Sequence, residues 1–480
     1  MHFCLYGRGA FYEKFVTLPP QSGATCPFCW VRCPVSNRND HVGMRVVLIN
    51  TSERIGGAAI AANRLMEALK RHGVKAQMLV RDRQTQQLSV AAVSPSWLLP
   101  LKFLWERLVI LLNNGLKTGT MWLVDIGNTG VDVTQMPEFK QADVVHLHWV
   151  NQAFISLKGL RRILDSGKPV VVTMHDMWYF TGVCHYAGSC ERYKSACTRC
   201  PLMGKFHVGG GLAKRIFSCK QQMYASGPVT FVGCSQWMAD MAQQSALVRG
   251  HQIVSIPNAI NTDSYAPEPQ QAAREAFGLP ADKRLVLFSS QRITDERKGF
   301  RLLSEALRRI VQEQPEMAKD LALVVVGGEA ERVRDSVPLP VFPINYVSKE
   351  AAMVQLYNAV DVFVTPSLQD NLPNTIVEAL ACGTPCVGFA VGGIPEMIDH
   401  QQNGYVAAYR DAADLARGIL WTLDPSRQER LSKAARQKAL ENYSEEQVAA
   451  HYTRIYETAL LRHHSDIQRG EDPAADTGKP

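Results

Sequence analysis

Short apolar runs rich in β-branched residues alternate with amphipathic stretches from Met44 onward. This alternation predicts parallel α/β units, because the buried strands of a parallel sheet are short and apolar, whereas the helices that cover them repeat about every 3.6 residues. Ala58–His72 predicts the first of these helices. The runs that predict strands of a first domain are Arg45–Ile49, Ala76–Val80, Val144–Leu147, Val170–Met174, Thr230–Val232 and Ile253–Ile256.

A second series of alternating runs follows the polar, proline-bearing Asn261–Asp282. We therefore predict two doubly wound α/β domains, over residues 44–262 and 283–440. Residues 441–462 are expected to form a final helix, since Ser444 is a favourable N-cap with glutamates after it. Residues 463–480 are polar and contain Pro and Gly, which predicts a disordered tail. The strand candidates of the second domain are Leu285–Ser289, Leu321–Val326, Val362–Val364 and Cys386–Phe389.

The first 43 residues contain four cysteines and many polar residues, but no continuous apolar run of signal-peptide length. We expect them to be a disordered N-terminal appendage on a cytoplasmic protein. In that compartment the twelve cysteines of the chain are expected to be thiols or metal ligands. A hydrophobic share of 46% indicates a globular chain, and the formal charge of +7 without a run of Lys or Arg argues against a nucleic-acid partner.

The most informative segment is Pro366–Pro385, in which Asp370 and Glu378 are separated by seven residues. Asp370 follows an apolar strand, and Glu378 lies in a helix that Pro373 can open, so that both carboxylates can face one pocket. A strand, a tight loop and a helix N-terminus form an anion site, because free N–H groups and the helix dipole point at the ligand. A nucleotide sugar suits this arrangement, since its diphosphate needs donors and its hydroxyls need carboxylates.

This segment resembles the signature of the family 4 glycosyltransferases, which are retaining enzymes with the GT-B fold. The family pattern is Glu, seven residues, Glu and then Ala-(Leu/Met)-Ala-x-Gly-x-Pro, from which only Asp370 departs. The resemblance implies two Rossmann-like domains facing across a cleft, with C-terminal helices crossing back. It also implies that Asp370 holds the donor sugar, Glu378 the ribose, and the intervening Asn371 and Leu372 the rest of the donor. Asp is shorter than Glu by about 1.5 Å, which changes the contact with the sugar.

Other parts of the donor site follow from the same resemblance. Arg292 and Lys298 lie where the family places cations that neutralise the diphosphate, so no metal or other cofactor is required for catalysis. Gly56 and Gly57 match a glycine loop that lets the backbone approach donor and acceptor closely. His175 ends a strand, and the family places a histidine there beside the anomeric carbon of the donor sugar. We assign His175 and Asp370 to catalysis and the others to donor binding.

The implied function is transfer of a sugar, with retention of anomeric configuration, from a nucleotide sugar to a lipid-linked glycan. The colanic-acid and capsule-type enzymes that the chain resembles suggest a role in exopolysaccharide, capsule or lipopolysaccharide biosynthesis. Retaining hydrolases use a carboxylate nucleophile, for which the sequence has no obvious equivalent, so the family's front-face substitution is expected. Two alternatives stay open, a sugar-nucleotide 2-epimerase of GT-B fold and a non-catalytic, zinc-stabilised sugar-binding protein.

The apolar stretch Trp97–Leu112 carries three charged residues and is too short to span a bilayer. It predicts either an interfacial amphipathic helix, which would bring the protein to the inner face of the membrane as a peripheral enzyme, or a pair of core-packed helices.

Four cysteines, Cys184, Cys190, Cys197 and Cys200, lie within seventeen residues and end in Cys-x-x-Cys. Their number and spacing suit a tetrahedral structural zinc. The loop also resembles one in the colanic-acid and capsule-type enzymes. The alternative interpretation is that these are buried thiols or redox-sensitive pairs.

Overall fold

The computed structural model of the chain describes residues 43–93, 98–203 and 211–471, with side chains described up to residue 463. The predicted N-terminal appendage lies outside these residues apart from Gly43, and so does the last part of the predicted tail, residues 472–480.

The first domain is built on a parallel sheet of seven strands in the order β3-β2-β1-β4-β5-β6-β7. The strand order reverses between β1 and β4, and ligands of open α/β sheets bind at such a point, beyond the carboxyl ends of the strands. The strands are β1 Arg45–Ser52, β2 Lys75–Asp82, β3 Val90–Ala92, β4 Val144–Leu147, β5 Val170–Met174, β6 Val229–Gly233 and β7 Gln252–Ser255. The helices are α1 Gly57–Arg71, α2 Leu98–Asn113, α3 Pro137–Gln141, α4 Leu157–Leu164, α5 Leu212–Tyr224 and α6 Gln236–Gln243.

The second domain has a parallel sheet of six strands in the order β10-β9-β8-β11-β12-β13. Apolar clusters cover both faces of this sheet, as a doubly wound domain requires. The strands are β8 Arg284–Arg292, β9 Leu321–Gly328, β10 Val341–Ile344, β11 Val362–Thr365, β12 Cys386–Phe389 and β13 Gly404–Ala407. The helices are α7 Gln270–Ala276, α8 Phe300–Glu313, α9 Pro315–Ala318, α10 Glu350–Ala359, α11 Asn374–Ala381, α12 Ile394–Met397, α13 Ala412–Thr422 and α14 Pro425–Asn442.

The predicted pair of Rossmann-like domains is therefore confirmed, and each strand predicted from the sequence is present. The strands β3, β10 and β13 were not predicted. They have three or four residues each and lie at the edges of their sheets. Short edge strands are buried less than central ones, and so they carry a weaker apolar signal.

A last helix, α15 (Glu445–Glu471), crosses back to the first domain. Val448, Tyr452 and Tyr456 pack in the apolar cluster that covers one face of the first sheet. The hydroxyl of Tyr456 lies 2.8 Å from Nδ1 of His146 in β4, and all of these groups are buried. The predicted crossing back of the C-terminal helix is therefore confirmed.

The chain passes between the domains at two places that lie side by side. The N–H of Ile260, after β7, donates to the carbonyl of Tyr443, before α15, at 2.8 Å. A parallel bridge joins Ile260 to Ser444 at the same place.

Two predicted boundaries near the C-terminus differ from the structure. Residues 441 and 442 end α14 instead of beginning the crossing helix. The prediction of a disordered tail from residue 463 is wrong for residues 463–471, which continue α15. The sequence from 445 to 469 contains no proline or glycine, so nothing in the backbone ends the helix there.

The apolar stretch after residue 97 forms one helix, α2, not a pair of core-packed helices. Its buried positions are Glu106, Arg107 and Ile110, whereas most of its leucines are exposed. Among the helices of the described ranges, none has both the length and the apolar character needed to cross a membrane.

Candidate active site between the two domains

A cleft of about 1120 Å³ lies between the domains, at the carboxyl ends of β1, β5, β8 and β11. Clefts at this edge of α/β sheets are the usual ligand sites of such folds. All nine residues that the sequence assigns to catalysis or donor binding line it, namely Gly56, Gly57, His175, Arg292, Lys298, Asp370, Asn371, Leu372 and Glu378. Residues that are up to 322 positions apart in the chain thus meet at one site.

Asp370 forms the polar centre of the second domain's side of the cleft. Its Oδ2 accepts a hydrogen bond from Nζ of Lys298 at 2.6 Å and another from the hydroxyl of Ser367 at 3.2 Å. Nη1 of Arg297 lies 4.0 Å from the same oxygen. Burial acts to raise the pKa of Asp370, but the charges of Lys298 and Arg297 outweigh it and hold that pKa below its ordinary value. Asp370 is therefore an ionised acceptor.

Gly299 explains how Lys298 reaches Asp370. Its φ is +74°, and a Cβ there would lie 1.8 Å from the carbonyl oxygen of Pro366, so only glycine is tolerated. The close approach brings the Arg297-Lys298 turn against the loop that carries Asp370. Arg297 was not assigned from the sequence, although the same Arg-Lys-Gly turn contains it. It donates to the carbonyl of Gln369 at 3.0 Å.

Glu378 lies in α11, and both of its carboxylate oxygens are engaged. Oε1 accepts a hydrogen bond at 2.8 Å from Arg64, which belongs to α1 of the other domain. Oε2 accepts from the hydroxyl of Tyr357 at 2.8 Å. Burial acts to lower the pKa of Arg64, but Glu378 more than offsets it, and the pKa lies above its ordinary value. Arg64 was not predicted, and its sequence signal is that it is a basic residue in the first half of α1, which is otherwise mostly small and apolar.

The N-termini of α1 and α11 face each other across the cleft. Nδ2 of Asn374, the first residue of α11, donates to the carbonyl of Gly57 at 3.0 Å. Gly56, which precedes α1, has a φ of +94°, a conformation that glycine adopts without strain. Neither helix has an acidic residue in its first turn. Two helix dipoles therefore present positive potential to the same space, which favours an anion.

His175 lies directly after β5 and contacts two other side chains. Its Nε2 is 2.9 Å from Nδ1 of His148, and its Nδ1 is 3.5 Å from Sγ of Cys234. Burial lowers the pKa of His175 to about 4, although the charge of Asp176 partly opposes this. His175 is therefore neutral near pH 7, with one ring nitrogen as donor and the other as acceptor, and does not bring a positive charge to the cleft.

Asn371 ties the two domains together. Its Nδ2 donates to the carbonyls of Met174 and His175, each at 3.2 Å, and its Oδ1 accepts from Ser235 at 2.6 Å. The amide side chain is thus engaged with the first domain, while Leu372, 7% exposed, packs in the core of the second domain. Arg292, exposed at the end of β8, also lines the cleft.

Asp176 organises a second polar group, which was not predicted from the sequence. It accepts from Nε1 of Trp149 and Nδ1 of His185, each at 2.8 Å, and from the N–H of Trp178 at 2.9 Å. Burial would lower the pKa of His185, but the Asp176 carboxylate raises it above its ordinary value. The sequence signal that could have indicated Asp176 was its position directly after His175 at the end of a strand.

The four clustered cysteines line the first domain's part of the cleft, and none of them forms a disulfide within the described residues. Burial raises the pKa of Cys184 to about 12 and that of Cys197 to about 11. Sγ of Cys197 accepts a hydrogen bond from the N–H of Gly182 at 3.2 Å. Within the described ranges, no group of three or more His, Cys, Asp or Glu side chains is arranged to hold a metal ion. The structural zinc at Cys184, Cys190, Cys197 and Cys200 stays a prediction.

Two parallel-sheet domains that face across a ligand cleft, with a terminal helix crossing back, define the GT-B class of proteins. The family model described as Glycosyltransferase Family 4 matches residues 55–264, and the model described as Glycosyl transferases group 1 matches residues 283–424. The chain belongs to glycosyltransferase family 4, as the signature around Asp370 and Glu378 predicted.

Named relatives agree with this membership. A D-inositol 3-phosphate glycosyltransferase of Thermobispora bispora is 27% identical over 223 residues, 44% of this chain and 51% of the relative. A phosphatidyl-myo-inositol mannosyltransferase of Mycobacterium leprae is 29% identical over 213 residues, 44% of this chain and 54% of the relative. The chain thus spans about half the length of these relatives. The solved structure of HepE from Anabaena with UDP and glucose covers 86% of this chain and 100% of its own, with a TM-score of 0.56 and 15% identity, a likeness of fold.

Proposed function

We propose that this protein is a retaining glycosyltransferase that moves a sugar from a nucleotide-sugar donor to a glycan acceptor. The observation that carries the proposal is the ionised Asp370, 2.6 Å from Lys298, in the same cleft as Glu378 and two helix N-termini. Carboxylates suit sugar and ribose hydroxyls, while the cation and the helix dipoles suit a diphosphate. Membership in family 4 supports the same assignment.

In the proposed reaction, the bond between the sugar and the diphosphate breaks and leaves about one additional negative charge on the nucleotide. Lys298, Arg292 and the N-terminus of α11 stabilise that charge, and Lys298 is held in place by Asp370 before the reaction. Asp370 orients the sugar through its hydroxyl groups. His175 lies at the opposite wall as a neutral hydrogen-bonding group beside the anomeric carbon. The departing phosphate takes the proton of the attacking acceptor hydroxyl, so that the acceptor enters from the face that the phosphate leaves.

Donor binding requires a change at Glu378. In this structure its carboxylate is paired with Arg64 and Tyr357, so ribose hydroxyls must replace or share the contact with Arg64. The donor is a nucleoside diphosphate hexose in this proposal. UDP-glucose is the first compound to test, because HepE, which has the same fold, was solved with UDP and glucose.

The acceptor in this proposal is a lipid-linked glycan of exopolysaccharide, capsule or lipopolysaccharide biosynthesis. Two exposed apolar side chains, Trp122 and Leu123, line the first domain's side of the cleft. The named substrate of the Mycobacterium leprae relative is also a lipid, phosphatidyl-myo-inositol. Both observations favour an acceptor with an apolar part.

A transfer assay with a panel of labelled nucleotide sugars tests the proposal. The full-length protein is incubated with each donor, with and without a lipid-linked glycan, and both product and free nucleotide are measured. We expect donor consumption to depend on the acceptor, and activity to persist during short exposure to EDTA, because fixed cations stabilise the leaving group. Donor rearrangement without acceptor would instead identify an epimerase. An immediate loss in EDTA that magnesium or manganese restores would contradict the metal-independent mechanism.

A further inference from the structure

Helix α2 has its polar and apolar faces reversed with respect to an ordinary surface helix. Its exposed side chains are Leu101, Leu104, Trp105, Leu108 and Leu112, which are 42% to 64% exposed. These positions are spaced by one, three or four residues and therefore form one face. The charged residues of the helix interior point the other way, with Glu106 fully buried and Arg107 only 5% exposed. An apolar stripe of this kind normally faces the core.

Buried polar contacts hold α2 in this orientation. Nη2 of Arg107 donates to Oδ2 of Asp125 at 2.9 Å, and Glu106 lies 3.4 Å from the same guanidinium nitrogen. Oε1 of Glu106 accepts from the N–H of Gly127 at 2.8 Å. Rotating the helix to bury its leucines would leave Asp125 without its guanidinium partner in the interior, which is costly. The outward direction of the leucines is therefore fixed by the fold.

The apolar face extends beyond the helix to the mouth of the cleft. Leu116, Trp122 and Leu123 are 66%, 55% and 47% exposed. The ring of Trp122 stacks at 6.1 Å on Phe103 of α2, which makes the surface continuous. Trp122 and Leu123 also line the cleft. The α2 face, defined as the exposed apolar side chains between Leu101 and Leu123, thus leads from the protein surface to the proposed acceptor side of the site.

The charge of the α2 face favours one kind of partner. Between residues 99 and 123 the sequence contains one acidic residue, Glu106, which points inward. The charged group on the outer side is basic, since Lys117 is exposed, whereas Nζ of the half-buried Lys102 turns inward and donates to the carbonyl of Gly130 at 2.8 Å. The whole chain also has a formal charge of +7. An apolar surface with basic but no exposed acidic groups suits the interface of an anionic bilayer.

We propose that the α2 face docks on the surface of a bilayer that contains anionic lipid. The helix lies in the plane of the interface, its leucines and Trp105 enter the boundary between headgroups and acyl chains, and the mouth of the cleft is held at headgroup level. The further step, that a lipid-linked acceptor enters past Trp122 and Leu123, rests on the function proposed above. Docking itself does not depend on that function.

Vesicle flotation with the full-length protein tests docking. The vesicles contain phosphatidylcholine alone or phosphatidylcholine with phosphatidylglycerol. Leu104→Glu and Leu108→Glu, singly and together, place a carboxylate on the α2 face. Leu88→Glu is the matched control, since Leu88 is 98% exposed and lies outside the α2 face. We expect wild type and Leu88→Glu to float with the phosphatidylglycerol vesicles, and the bound fraction of the double variant to fall at least about tenfold, because it loses two apolar insertions.

A second readout reports the location of the face directly. Tryptophan emission should be quenched by lipids brominated near the headgroup end of the acyl chain, and Trp105→Phe should lower that quenching to the part that Trp122 of the same face contributes. Thermal unfolding of each variant in the absence of lipid should match wild type, because the substituted side chains are exposed.

Three results would overturn docking: no flotation of the wild type, flotation of the double variant like wild type, or a wild-type dimer in light scattering that Leu104→Glu dissociates and that does not bind vesicles. The last result would assign the face to a second copy of the chain.

Transfer to a soluble short-chain acceptor separates this proposal from the proposed function. Leu104→Glu should retain that transfer, whereas its absence from the wild type would contradict the function and leave the flotation result valid.

Discussion

Lys298 and Asp370 are the residue pair on which the proposed chemistry depends most directly. We expect Lys298→Ala to lower turnover at least about a hundredfold, the scale seen when a preorganised electrostatic contact is removed. The variant also leaves Asp370 buried with one cation fewer, which raises the pKa of that carboxyl. Steady-state kinetics with saturating donor measures the effect. Lys319→Ala is the matched control, since Lys319 is exposed and pairs with Glu316 three residues earlier. Near-normal turnover of Lys298→Ala would contradict the donor-site assignment.

We expect three neighbouring histidines to make the protein less stable in mild acid. Burial lowers the pKa of His146 to about 3 and that of His175 to about 4, and it lowers that of His148 well below its ordinary value. Below about pH 6.5 the unfolded chain binds protons that these native side chains do not bind, so the free energy of unfolding falls as pH falls. Each histidine contributes up to about 1.4 kcal/mol per pH unit to this fall. His185, whose pKa is raised, opposes it.

Urea unfolding at about pH 7.5 and about pH 5 measures this dependence. We expect a lower midpoint at the lower pH, and a smaller difference between the two midpoints in His146→Gln, which has one histidine fewer to protonate on unfolding. An unchanged pH dependence in that variant would show that His146 is not neutral in the native state.

At the scale of elements, the sequence predicted what depends on local pattern. The central strands are buried on both faces and read as continuous apolar runs, and the segment around Asp370 and Glu378 combines a strand end with a helix start. Arg64 and Asp176 could not be found in this way. Their roles depend on partners that are 314 residues away, for Arg64 and Glu378, or 27 residues away, for Asp176 and Trp149. Such contacts follow from how the domains meet, which local spacing does not encode.

Helix α2 is a case in which the local pattern allowed two interpretations. Its leucines predict burial if each is counted as a core residue, and an interfacial helix if the pattern is taken as a surface. The orientation of the helix is determined by Asp125, which lies after the helix in the chain and binds the inward-facing guanidinium of Arg107. A buried charge pair thus determined which face points out, and hydrophobicity alone could not.

The loop that carries the four clustered cysteines, residues 184–200, packs against a buried lysine. Lys220 is fully buried against this loop, and its Nζ donates to the carbonyls of Trp178 and Thr181 at 2.5 and 3.1 Å. Burial lowers its pKa to about 7, while nearby Cys197 and Cys184 oppose that shift. A zinc ion with four thiolates carries about two negative charges, which a protonated Lys220 would partly compensate. The number and spacing of the four cysteines predict close to one zinc per chain when the protein is purified with zinc, which requires their side chains to rearrange from the positions described.

Cys197→Ser tests this expectation against Cys219→Ser, whose thiol is exposed. The first variant should lose zinc, measured by elemental analysis, and unfold at lower temperature, because binding energy at a structural zinc is partly folding energy. The second should retain both properties. Equal zinc content and stability in the two variants would leave the four cysteines as ordinary thiols.

At the scale of the whole molecule, α15 makes the first domain discontinuous in sequence. We expect Tyr456→Phe to lower the free energy of unfolding by about 1–3 kcal/mol, because it leaves Nδ1 of the buried His146 without its partner. Denaturant titration measures the change. Tyr346→Phe is the control, since Tyr346 is 61% exposed. A loss no larger than that of the control would show that α15 is held by apolar packing alone.

The two passages of the chain between the domains also determine how the cleft can move. Because the N–H of Ile260 donates to the carbonyl of Tyr443, the passages form a short two-stranded ribbon at one place. A single connecting strand would allow swivelling in any direction, whereas a paired ribbon bends easily about one axis and resists torsion. The domains should therefore open and close by rotation about one hinge axis that passes through this ribbon. A nucleotide sugar would enter and leave when the cleft is open. Because the rotation has one axis, the two domains would return to the same relative position each time the cleft closes.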